Sequence, residues 1–150
     1  MTFDEMETFE HTRCKPVSIA VAVDTTTRKI LFSGVSQMPP KKKLSQIARK
    51  KYGYRKDHRS QGLHRMMKQL KRWVHPFALI QSDQCFRYPI HVENHFPKAL
   101  YKTHKSRRAQ PIGQGELKRG YRDPLFALNH TAAMKRANMS RLVRRTWCTS

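Results

Sequence analysis

VSIAVAVDTTTRKILFSGVSQ, Val17 to Gln37, decides how the rest of the chain is read. VSIAVAVD (Val17 to Asp24) is a β-branched apolar run, DTTTRK is a polar turn, and ILFSGVSQ (Ile30 to Gln37) is a second run. β-Branched side chains suit the pleated backbone of a strand and polar residues suit a reversal, so the stretch predicts a β-hairpin. Its apolar character is continuous rather than alternating, which predicts strands covered on both faces.

Working outward toward the N-terminus, MTFDEMETFE holds four of the ten acidic residues and reads as a short strand from Phe3 to Phe9, with Asp4 and Met6 on one face. In the other direction, PPKKK (Pro39 to Lys43) breaks the sheet. The basic stretch that follows, through Arg59 with Tyr52 and Tyr54 interleaved, reads as a solvated helix or loop, with a specific DNA contact as the alternative. After Ser60, a cap residue by type, Leu63, Met66, Met67, Leu70 and Val74 recur at helical spacing. The methionines are expected in the core and the Lys and Arg residues on the outer face.

Phe77 to Gln81 is then an apolar strand that stops on Asp83. Val92 and Phe96 mark a short helix, and Leu100 to His104 a further strand. Asp123-Pro124 is a helix start, a capping carboxylate followed by proline at the first helical position. Leu128, Ala132, Met139, Leu142 and Val143 extend one apolar stripe through about Trp147. The expected fold is therefore α/β, in the order three antiparallel strands, helix, strand, helix, strand and a long C-terminal helix. That is the order of RNase H-like mixed sheets. No internal repeat interrupts it, and 150 residues suit one domain, 1–150.

Composition narrows the partners. Thirty-one Lys and Arg against ten Asp and Glu give a formal charge of +21, spread along the chain, a field that favours a polyanion. Nucleic acid fits better than a membrane, because the longest apolar runs fall far below the roughly 20 residues of a spanning helix. No signal peptide is recognisable. The three cysteines, Cys14, Cys85 and Cys148, have neither disulfide-framework nor zinc-knuckle spacing, so the expected compartment is the reducing cytoplasm. A ribosomal or RNA-coating protein is the bland alternative for so basic a chain.

Ten acidic residues are few enough to weigh one by one. Asp24 belongs to a hairpin turn, Asp57 to a basic loop, Glu93 to a short helix, and Asp123 has a cap to make. That leaves the first-strand cluster, Asp83 and Glu116. Asp4 and Asp83 can converge if their strands are parallel neighbours about 4.8 Å apart, and paired carboxylates are what a nucleotidyl-transfer site needs to hold divalent ions. The structural alternative makes Asp4 a solubilising edge acid and Asp83 the start of a turn.

FDEMETF, the hairpin VSIAVAVDTTTRKIL, the strand end LIQSD, and LNHTAAMKRANMSRLVRRTWC together resemble the catalytic region of small bacterial insertion-sequence transposases of the DDE type. The resemblance spans nearly the whole chain. It implies an RNase H-like catalytic domain performing metal-dependent DNA strand cleavage and strand transfer, with Mg²⁺ or Mn²⁺ in a two-metal site and a homo-oligomer in the active assembly. It puts the first two carboxylates at Asp4 and Asp83. At the third position this chain departs from the pattern: the matching residue is Asn129, 46 residues beyond Asp83, a variant also found in relatives. An amide oxygen can ligate Mg²⁺ but brings no charge. Glu116, 33 residues beyond Asp83 in GQGELKRG, competes with Asn129, which stands ahead of it.

His130 adjoins this site as a possible ligand or DNA-ordering group. Arg136, Arg141, Arg144 and Arg145 are the expected phosphate contacts, or else a solvated basic face. Similar transposases carry an upstream DNA-reading region. With the first carboxylate at residue 4, a truncated copy is expected, and the competing functional reading is a non-catalytic basic nucleic-acid-binding protein or inactive remnant.

Overall fold

The computed structural model describes residues 1–105, 123–139 and 142. The hairpin forms as expected from β2 (Pro16–Val23) and β3 (Ile30–Gln37), with β1 (Thr2–Phe9) antiparallel on the other side of β2. Asp24 holds the reversal, its carboxylate accepting the backbone N–H groups of Thr26 and Thr27. β4 (Leu79–Asp83) and β5 (Leu100–His104) extend the sheet beyond β1, both parallel to it, giving the order β3-β2-β1-β4-β5. The chain is thus α/β, a mixed five-stranded sheet with four helices among the described residues.

The continuous apolar run of β2 has the predicted cause. Ala20 and Ala22 join one core cluster and Ile19, Val21 and Val23 another, on the two opposite faces of the sheet. The first cluster is built on α2 (Arg59–Leu70), whose Leu63, Met66, Met67 and Leu70 are fully buried beside Phe3 and Ile80. Each such side chain contributes roughly 1.5–3 kcal/mol by leaving water. Gly62 lets α2 settle onto β3, since a Cβ there would run into the Ser36 hydroxyl. α3 (Tyr88–His95) completes this layer through Tyr88 and Val92.

The second cluster is closed by α4 (Phe126–Asn138), which lays Ala127 and Leu128 on Met6, Ile19, Val21 and Val23. The basic stretch after the hairpin forms α1 (Lys43–Tyr52), a solvated helix with only Ala48 buried, stopped by Gly53 at φ 77°.

Several boundaries differ from expectation. β4 starts at Leu79 and not at Phe77, which lies in the preceding turn and is 65% exposed. Ser60 is not a cap: it lies inside α2, its hydroxyl 3.0 Å from His91 Nε2, while the Asp57 carboxylate accepts the Arg59 N–H at the helix start. Val74 lies past the end of α2, although it still packs on the core. The final helix ends at Asn138, where Met139 is extended and 51% exposed and so interrupts the expected stripe; the residues up to Trp147 lie outside the described ones except Leu142, which packs against the second cluster.

Candidate active site

Side chains alternate along a strand, so β1 sends Phe3 and Glu5 to the α2–α3 face and Asp4 and Met6 to the α4 face. Thr2 is level with Gln81 across the parallel β1–β4 seam, and Gln81 N–H donates to the Met1 carbonyl at 2.9 Å. Two residues further along each strand, Asp4 and Asp83 fall on the same face, near enough for the Asp83 carboxylate to act on that of Asp4. The seam has the single residue pair Thr2↔Gln81, and beyond it the hydroxyl of Tyr88 reaches up from α3. Tyr88 donates to Asp4 Oδ1 at 2.9 Å and accepts the Glu5 N–H at 3.1 Å; that N–H also meets Asp4 Oδ1 at 2.6 Å. The Tyr88 ring is fully buried against Phe3, its centroid 4.9 Å away.

The electrostatics single out Asp4. Burial, and then the Asp83 carboxylate, push its carboxyl from 3.8 up to about 6, against the hydrogen bonds from Glu5 and Tyr88 that act to lower it. Burial and the same carboxylates push the Tyr88 phenol far up, so it stays a donor at any physiological pH. Asp83 uses Oδ1 to accept the Cys85 N–H at 3.0 Å, which fixes the turn leaving β4. Ser82, on the opposite face, is 2.6 Å from the Tyr101 hydroxyl and ties β4 to β5.

On the other side of β1, Glu5 is 6% exposed and fully matched: Arg87 lies 2.6 Å from Oε2 and the Ser18 hydroxyl donates to Oε1 at 2.8 Å. Tyr88, Arg87 and Glu5 were not singled out by sequence. The contacts span 82 to 84 residues, and YP before a helix reads as an ordinary helix start.

The other expected site residues are placed as follows. Asn129 is exposed on α4, and its amide nitrogen donates to Asp123 Oδ2 at 2.7 Å, so its hydrogen bond is made to Asp123 and not to Asp4 or Asp83. Asp123 also accepts the Leu125 N–H at 2.9 Å, within the turn that leads into α4. The expected helix cap is therefore not formed: α4 starts at Phe126 with Leu125 at its N-cap and no side-chain cap hydrogen bond, so Asp123 holds the preceding turn and Pro124 is not the first helical residue. His130 is exposed, its ring 5.7 Å from that of Phe126. Arg136 is half-buried in the last turn of α4. Glu116, Arg141, Arg144 and Arg145 lie outside the described residues.

The donor set suits a divalent cation. Two oxygen ligands share one face, and Asp4 carries an uncompensated like-charge neighbour that a bound cation would neutralise. Among the described residues the two form a pair, with no third His, Cys, Asp or Glu grouped with them. Nor is any helix among those residues long and apolar enough to cross a membrane. A scan of protein-family models and searches of curated proteins and of solved structures find no match to this chain.

Proposed function

We propose that residues 1–150 form an RNase H-like catalytic domain of a DDE-type insertion-sequence transposase, which cuts DNA strands and joins them to new sites. The observation that carries this reading is the placing of Asp4 and Asp83 on one face of adjacent parallel strands, where burial and the Asp83 carboxylate push the Asp4 carboxyl up to about 6. The sheet order, with β2 alone antiparallel, supports the RNase H-like assignment.

Asp4 and Asp83 are the residues that would hold Mg²⁺ or Mn²⁺. When bound, such ions supply charge stabilisation at the phosphodiester oxygens and a water or 3′ hydroxyl acidic enough to attack at neutral pH. The chain's own part is positional. Tyr88 holds Oδ1 of Asp4, and the turn after β4 holds Oδ1 of Asp83. Asn129 remains the leading third group, because its nitrogen is the end bonded to Asp123 and the amide oxygen is left for a ligand. Glu116 is the competitor. The partner is DNA, the active assembly a homo-oligomer, and the compartment the cytoplasm.

Charge supports the partner. Between Lys41 and Arg72 there are thirteen Lys and Arg and one acid, Asp57, a density suited to phosphate contacts that carry no sequence information. The test is cleavage and strand transfer on plasmid DNA with Mg²⁺ or Mn²⁺, comparing wild type with Asp83→Ala. Metal-dependent cleavage lost in the variant is expected. Cleavage that survives the substitution removes Asp83 from the mechanism, and binding without cleavage in wild type favours the non-catalytic nucleic-acid-binding reading.

A further inference from the structure

Phe86 is 85% exposed, more than any other large hydrophobic residue described in the chain, and it sits three residues after Asp83. Its neighbours are anchored. Asp83 accepts the Cys85 N–H, the Cys85 carbonyl accepts the Tyr88 N–H at 3.1 Å, and Arg87 is tied to Glu5 at 2.6 Å. The turn that carries the ring is therefore held on both sides while the ring itself stands in water, with the Arg87 guanidinium 5.5 Å from its centroid. Other exposed aromatics have other addresses: Trp73 and Phe77 precede β4, at the end of the strand away from Asp83, and Tyr54 follows α1.

We propose that Phe86 is a stacking platform for the base of an unpaired nucleotide next to the phosphate held at Asp4 and Asp83. This rests on the strand-cleavage reading above. Only Gln84 and Cys85 lie between Asp83 and Phe86, so their Cα atoms are at most about 10 Å apart, within the reach of one to two nucleotides. In an intact duplex each base is already stacked on its neighbours, so an outward ring has a free π-face to meet only where a strand is frayed, nicked or single.

The test measures binding of a fluorescein-labelled 15-nucleotide single strand, and of the same sequence as a blunt duplex, to wild type, Phe86→Ala, Phe86→Leu and Phe86→Trp at several salt concentrations. Phe86→Ala is expected to weaken single-strand binding roughly tenfold and to leave duplex binding and the salt slope unchanged. Phe86→Trp restores binding and Phe86→Leu does not. Equal binding by wild type and Phe86→Ala, or restoration by Leu, overturns stacking while leaving strand cleavage standing. Wild type that binds neither DNA overturns both.

Discussion

Glu5 and Asp4 are consecutive residues of β1 whose carboxylates leave opposite faces of the sheet. Glu5 is enclosed, its side chain 6% exposed, yet it has a guanidinium at 2.6 Å and a hydroxyl at 2.8 Å. Asp4 has a neutral phenol on one oxygen and a second carboxylate for a neighbour, and no Lys or Arg pairs with it among the described residues. A buried charge is tolerated when matched and costly when it is not. The first arrangement holds the fold together, whereas the second is kept at the expense of stability, as the proposed cation site requires.

Removing the match is expected to have the largest effect. Arg87→Met strands the Glu5 carboxylate, and equilibrium urea unfolding at pH 7 should show a loss of about 3 kcal/mol, the low end for a buried pair because Arg87 is 21% exposed. A loss under about 0.5 kcal/mol would make the pair an ordinary surface contact and erase the contrast.

Asp4→Asn works in the opposite direction. The folded carboxyl titrates above its unfolded value, so its contribution is fully present below about pH 3.8 and is lost as the pH rises through about 6. At about 1.4 kcal/mol per pH unit the metal-free protein should gain roughly 2–3 kcal/mol at pH 7 from an amide that cannot ionise. The gain should vanish at pH 3.5, and a variant less stable than wild type at pH 7 would refute the strain.

Tyr88→Phe keeps the packing on Phe3 and deletes one hydroxyl. A loss of about 1 kcal/mol is expected in the same urea assay, from one donor to Asp4 and one acceptor for the Glu5 N–H. No loss would mean that solvent serves Asp4 equally well.

Much of the fold was legible because it is written in local periodicity. The unbroken apolar run of β2 requires cover on both faces, and Leu63, Met66, Met67 and Leu70 can share a core only on a helix. Where tertiary contact decides, the pattern was silent or misleading. Met139 continues the spacing of a stripe but is extended and exposed, and Ser60, of cap type, serves His91 instead. The carboxylate pair was readable because the strand order brings β1 beside β4. Tyr88 and Arg87 were not, since nothing local distinguishes a phenol that will reach across 84 positions to Asp4 from one that fills a core.

The central claim is that Asp4 and Asp83 jointly hold a divalent cation, and Mn²⁺ titration by calorimetry tests it most directly. Wild type, Asp4→Asn and Asp83→Asn would be compared at pH 7.5 and pH 5, with folding of each checked by circular dichroism. Expected is saturable binding by wild type at pH 7.5, weaker at pH 5 where Asp4 is protonated, and lost in both variants. Binding retained by both folded variants, or none by wild type at pH 7.5, would contradict the account.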